Sequence, residues 1–98
     1  MSQVATVGSH ATTISTETDG VTRITYHSTV VVQFNWNSIT LDTGGYFTST
    51  TKMRMNQASN QFNLGYQVFQ KDWAWFVRLR NGDVIPFDDD TLTFTRTV

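Results

Sequence analysis

The chain lacks cysteine and contains a single proline and a single glutamate among its 98 residues. Without cysteine, neither a disulfide nor a thiolate-bound metal can form, although this absence is compatible with any redox compartment. Charged residues make up only 15% of the chain, and the net charge is -1. No global positive field therefore attracts phosphate backbones, and any nucleic-acid site must be local.

Long hydrophobic runs are also missing. The longest purely apolar run, residues 73–77, has five residues, whereas a membrane helix needs roughly 20 residues. The N-terminus has no basic and apolar signal segment. We therefore expect a cytoplasmic protein with no membrane partner.

Signatures of catalysis and metal binding are scarce. The chain has no G-x-S-x-G element and no phosphate-binding glycine loop, and His10 and His27 form no ligand pair. Asp83 and the carboxylates at 88–90 lack the spacing of a calcium loop, so a solvated polar turn is predicted there. We expect a binding and assembly module, not an enzyme, with no cofactor and no metal.

Threonine and aromatic residues are abundant instead. The chain has seventeen threonines and thirteen aromatic residues, and both types pack well on pleated sheets. Length and composition fit one domain. We predict an all-β fold in which residues 1–20 form a flexible arm or a loosely docked strand and residues 21–98 form the single domain.

Large side chains alternate with polar ones from Val21 onward, which predicts short strands with one buried face. The asparagine- and serine-containing segments 35–38 and 57–60 predict turns, and Gly44-Gly45 predicts a strand bend. No helix is predicted. The residues predicted to face inward are Ile24, Tyr26, Val30, Val32, Phe34, Trp36, Ile39, Leu41, Phe47, Met53, Met55, Phe62, Leu64, Tyr66, Val68, Trp73, Trp75, Val77, Leu79, Leu92 and Phe94.

One hairpin is predicted more specifically than the rest. Asn81-Gly82 readily adopts the positive φ angles of a tight turn, and it lies between an alternating strand over 73–80 and an apolar segment over 84–87. Pro86 has no amide donor, so its strand is predicted to lie at a sheet edge.

This hairpin resembles the second Sm motif, in which an apolar strand leads into Arg-Gly and then into another apolar strand. The series Val30 to Leu41 is similar to the start of the first Sm motif, and Met55-Asn56 resembles the Met-Asn pair near its end. The chain is thus similar to Sm-like (LSm or Hfq) proteins, of the divergent kind found in marine phages. The departures from the family pattern are the extra Asn81 between Arg80 and Gly82 and Thr51-Lys52 in place of an acidic residue.

The resemblance implies a strongly bent five-stranded barrel with an additional terminal strand. Its edge strands would pair between subunits into a homo-oligomeric ring of roughly five to seven copies, in the host cytoplasm if the chain comes from a phage. It also implies binding of single-stranded RNA. The expected RNA-binding residues are Lys52, Arg54, Asn56, Arg80 and Gly82.

Asn56 and Arg80 would hydrogen-bond a base or a phosphate, and Gly82 would permit close backbone approach. Lys52 and Arg54 would form a weak positive patch with Arg78 and Arg80, which a ring would multiply. Ordinary strand-surface charge is the alternative interpretation of these four cations. Core or subunit packing is predicted over base stacking for Trp73, Trp75 and Phe76.

Two further functions stay open at this point. One is a structural or adaptor ring of a phage particle in which nucleic acid plays no part, since low charge and abundant polar residues suit that function equally well. The other is a sugar-binding module that uses exposed tryptophans.

Overall fold

The structure is a computed structural model, and it describes residues 12–45 and 47–96. The chain is mostly β, with two antiparallel sheets and one helix among these residues. The elements are β1 (Thr12–Thr16), β2 (Thr22–Tyr26), β3 (Thr29–Phe34), β4 (Ser38–Asp42), α1 (Ser49–Phe62), β5 (Gln67–Lys71), β6 (Ala74–Arg78), β7 (Val84–Pro86) and β8 (Thr91–Thr95).

The first sheet has five strands in the order β1-β2-β3-β4-β8. The predicted turn at 35–38 is confirmed, because β3 ends at Phe34 and β4 begins at Ser38. The register of β2 against β3 shifts beside Ile24, which pairs with Val32 while its neighbour Thr25 pairs with Val30. This bulge explains why Val31 and Val32 are both buried although they are adjacent.

The second sheet has three strands in the order β5-β6-β7. The predicted hairpin around Asn81-Gly82 is confirmed as the β6–β7 pairing, with a connection that spans residues 79–83. The tight two-residue turn lies instead at Asp72-Trp73, between β5 and β6. Pro86 lies on the edge strand β7, as predicted.

One core joins both sheets and the helix. Its buried members include Ile24 and Leu41 from the first sheet, Val77 from the second and Met55 from α1. Phe87, which follows β7, is the largest fully buried side chain. The alternating pattern thus identified the inner faces of several strands, because burial of every second side chain is what holds a sheet to its core.

The prediction that no helix follows Gly45 is wrong, since α1 covers residues 49–62. The predicted turn at 57–60 and the predicted strand residues Met53, Met55 and Phe62 all lie in this helix. The hydroxyl of Thr48 accepts a hydrogen bond from the Thr51 amide at 3.2 Å and caps its start.

The helix is hard to detect because its buried face is largely polar. Besides Met55 and Ala58, the buried residues are Thr51, Arg54, Gln57 and Ser59. An apolar repeat of 3.6 residues is therefore absent, although lysine, methionine, arginine, glutamine and alanine all favour helix. At the other end Asn63 adopts a left-handed conformation, with φ of 54°.

The predicted Sm-like barrel is not confirmed. The described residues form two open sheets with a helix between β4 and β5, and they contain no closed five-stranded barrel. Within the segment predicted to form a flexible arm or a loosely docked strand, β1 pairs with β2 throughout Thr12–Thr16. The remainder of that predicted arm, residues 1–11, lies outside the described part of the chain. Gly44-Gly45 follows the end of β4 and does not bend a strand.

Several side chains predicted to face inward are exposed instead. Trp36 lies in the β3–β4 turn with 79% of its surface exposed, and Trp73 lies in the β5–β6 turn with 92% exposed. Phe47 and Met53 are also exposed. Residues in a turn do not continue the alternation of the adjacent strands. Burial is therefore predicted wrongly when the pattern is extended one or two residues past the end of a strand.

Candidate functional site

Helix α1 covers the outer edge of β5 through side-chain to backbone hydrogen bonds. The Asn56 amide donates to the Val68 carbonyl at 2.9 Å and accepts from the Val68 amide at 2.7 Å. Ser59, three residues later, bonds both backbone groups of Tyr66 at 2.6 and 3.1 Å. Residues three apart on a helix share a face. Asn56 and Ser59 therefore reach Val68 and Tyr66, which are two residues apart in the extended segment. The helix thus occupies the position of a neighbouring strand.

The Tyr66 side chain completes this contact. Its hydroxyl donates a 2.6 Å hydrogen bond to the Met55 carbonyl. Burial raises the pKa of this phenol well above its ordinary value. Tyr66 therefore stays neutral and remains a donor under physiological conditions.

A polar pocket of about 440 Å³ opens where α1, the segment before β5 and the end of β6 meet. We refer to it as the polar pocket. Among the described residues, two guanidinium groups and three amide side chains line it, and no carboxylate does. Its lining residues are Asn56, Asn60, Gly65, Tyr66, Gln67, Arg78, Leu79 and Arg80.

Gly65 makes room for one of the two guanidinium groups. Its φ of 80° lies in the region that favours glycine, and a Cβ at this position would clash with the guanidinium of Arg80. Arg80 donates to the Asn63 carbonyl at 2.8 Å through one terminal nitrogen. Because arginine carries five N–H donors, this bond orients Arg80 and leaves further donors available.

Arg78 connects the polar pocket to an aromatic surface. Its guanidinium carbon lies 5.2 Å from the centroid of the Phe69 ring, and Phe69 stacks against Phe76 with centroids 5.7 Å apart. Phe69, Phe76 and Arg78 share the face of the second sheet opposite to the buried Val68 and Val77. We call Phe69 and Phe76 the phenylalanine pair.

The structure brings together two of the five residues expected to bind RNA. Asn56 and Arg80 both line the polar pocket. Asn56 nevertheless uses its amide to hold Val68, so its evident role is structural. Gly82 lies in the β6–β7 connection with φ of 94° and does not line the polar pocket.

The remaining two expected residues lie elsewhere. Arg54 is buried, donates to Thr12 at 3.1 Å and to Gln57 at 3.0 Å, and lies over the ring of Tyr26. Lys52 lies over the ring of Trp75 at 5.9 Å. The predicted patch of four cations is therefore divided, and only Arg78 and Arg80 share the polar pocket.

Sequence reasoning missed Asn60, Gln67 and Phe69 as site residues. A signal for two of them existed, since Gln67 pairs with Arg78 and Phe69 with Phe76 across β5 and β6. This signal can be recognised only if the pairing of β5 with β6 is predicted correctly, which requires the correct first residue of β5. Asn60 lay in a predicted turn, and only the helix brings it to the polar pocket.

Other pockets also open among the described residues. One of about 430 Å³ is rich in threonine hydroxyls and includes Tyr26 and His27. Another, of about 360 Å³, is aromatic and includes Phe47, Trp73 and Trp75. Within the described ranges no three histidine or acidic residues lie close enough together to hold a metal ion.

Comparison with known proteins identifies a family. The family model described as Kyanoviridae Gp96 protein matches residues 1–94, which supports the predicted phage origin but no Sm-like family. No curated protein and no solved structure matches the chain. The described part of the chain contains no helix long and apolar enough for a membrane span. On the match over residues 1–94, the chain belongs to the Kyanoviridae Gp96 protein family.

Proposed function

We propose that this protein binds single-stranded nucleic acid, in the first instance RNA, at the polar pocket and the adjoining phenylalanine pair. The observation that carries this proposal is the presence of Arg78 and Arg80 in one pocket, which the structurally described residues line with amides and with no carboxylate. Guanidinium groups bind phosphate oxygens bidentately, and they do so best where no fixed anion competes.

The phenylalanine pair would supply the second half of such a site. Single-stranded nucleic acids expose unstacked bases, which stack on aromatic side chains beside a positive groove. Arg78 touches Phe69 and lines the polar pocket, so a phosphate held there would have its base next to the pair. The exposed amides of Asn60 and Gln67 would hydrogen-bond base edges or the 2′-hydroxyl.

The protein as a whole does not attract polyanions, because its net charge is -1. We therefore expect weak binding, with a dissociation constant on the order of 10⁻⁴ to 10⁻⁶ M at physiological salt. Two phosphate contacts predict a slope of log affinity against log salt of about -1.4 for a single strand.

The test is a fluorescence anisotropy titration with labelled oligo-U and oligo-A at several salt concentrations. Arg78→Ala and Arg80→Ala should each weaken binding and reduce the salt slope by about 0.7. Arg23→Ala is the matched control, because it removes the same charge from the first sheet, where Arg23 pairs with Asp19 at 3.8 Å. Absence of binding at low salt, or an equal loss in Arg23→Ala, would contradict the proposal.

A second candidate function is a structural or adaptor role in a phage particle through self-association into a ring. The outer sides of β1 and β8 are the margins of the five-stranded sheet among the described residues, and β8 alternates exposed threonines with half-buried Leu92 and Phe94. Unpaired strand edges recruit further strands. Light scattering tests this function: a discrete oligomer of roughly five to seven copies supports the ring, and a monomer excludes it.

A further inference from the structure

The β5–β6 turn displays a tryptophan in a conformation that tryptophan rarely adopts. Asp72 and Trp73 have φ angles of 52° and 69°. A turn with two positive φ values favours glycine, asparagine and aspartate, which Asp72 satisfies and Trp73 does not. The indole gains no burial in return, because 92% of its surface is exposed. Unfavourable backbone conformations cluster at ligand sites, so Trp73 is a candidate ligand contact.

Trp73 forms one wall of the aromatic pocket of about 360 Å³, which we call the tryptophan pocket. Trp75 and Phe87 are buried and form its floor, with ring centroids 6.1 Å apart. Phe47, 42% exposed, meets Trp75 edge to face at 5.0 Å. The polar members, Gln70 and Asp88, are both exposed and lie at the rim.

This arrangement narrows the class of ligand. The floor rings are occupied by one another, so the accessible aromatic faces are those of Trp73 and Phe47. The Trp75 face is not open to a cationic ligand, because the Lys52 ammonium already lies 5.9 Å from that ring. A purely apolar ligand would cover Asp88 and Gln70 without giving them hydrogen bonds.

We propose that the tryptophan pocket binds a neutral pyranose sugar of a glycan. A pyranose ring has an apolar C–H face that stacks on an indole, and hydroxyls that bond to carboxylate and amide groups at the same time. Asp88 is followed directly by Asp89 and Asp90, all three exposed. Their charge repels acidic sugars, so neutral sugars fit better than uronates.

This site is independent of the proposed nucleic-acid site. Val68, Gln70, Trp75 and Val77 alternate onto one face of the second sheet, and the phenylalanine pair lies on the other face. A glycan and an oligonucleotide would therefore bind without competition, and either proposal can fail while the other stands.

The test follows the indole N–H signals in two-dimensional NMR while the full chain is titrated with oligosaccharides of glucose, mannose, galactose and N-acetylglucosamine. An oligoglucuronate serves as the anionic comparison. A neutral sugar should shift the Trp73 signal and leave the signal of Trp36, which is 79% exposed in the β3–β4 turn, unchanged.

Trp73→Gly should weaken sugar binding at least tenfold without unfolding the protein, because glycine suits the positive φ at this position. Trp36→Ala is the matched control and should bind as the wild type does. The proposal is overturned if no neutral sugar shifts the Trp73 signal, if Trp36 responds equally, or if the oligoglucuronate binds better than every neutral sugar.

Discussion

Replacing Asn56 with alanine should destabilise the fold, because Asn56 bonds both backbone groups of Val68. The substitution leaves one amide and one carbonyl of β5 without their partner under α1. Each lost partner of a buried backbone group costs about 1–3 kcal/mol, and the site is only part-buried, so the lower half of that range applies. The better helix propensity of alanine offsets about 0.5 kcal/mol of this loss of stability. We expect a net loss of about 2–3 kcal/mol in the free energy of unfolding.

The assay is urea unfolding followed by tryptophan fluorescence and far-UV circular dichroism. A loss of this size lowers the melting temperature of a domain of this length by roughly 10–20 °C. Asn60→Ala is the matched control, because Asn60 lies on the same helix and is exposed. If the free energies of unfolding of Asn56→Ala and Asn60→Ala differ by less than about 0.5 kcal/mol, the Asn56 side chain does not hold the β5 edge. Its role would then have to be sought in ligand binding.

Two further predictions concern residues beside Asn56. Tyr66→Phe should cost about 1–2 kcal/mol at neutral pH, since the Met55 carbonyl loses a hydrogen bond. Because burial raises the pKa of Tyr66, the wild type should lose stability as pH rises above the ordinary phenol value of 10.0. Urea unfolding at alkaline pH should show a smaller loss of stability for Tyr66→Phe than for the wild type. An equal pH dependence of stability in the two proteins would refute this prediction. Gly65→Ala should cost about 1 kcal/mol through its positive φ and displace Arg80. Weaker oligonucleotide binding than in the matched Gly82→Ala variant would confirm the displacement, and unchanged binding would exclude it.

The sequence alone was sufficient to identify strands in which large side chains alternate regularly. Alternation identified β3, β4 and β6 as strands, and Asn81-Gly82 identified the β6–β7 hairpin. These elements are local: a buried face repeats every second residue, and a turn residue follows directly. For the same reason Pro86 could be placed on an edge strand.

Helix α1 and the candidate sites were decided by the tertiary structure. The buried face of the helix carries Arg54, Gln57 and Ser59, and Ser59 is satisfied by a backbone that lies outside the helix. Buried polar side chains of this kind are stable only when their hydrogen-bond partners are in place. No local sequence pattern therefore predicts this helix. The polar pocket depends on that helix, because Asn60 and Arg80 lie twenty residues apart in the chain and meet only when α1 covers the edge of β5. The two arginines are evident in the sequence, whereas only packing places them in one pocket with amide side chains.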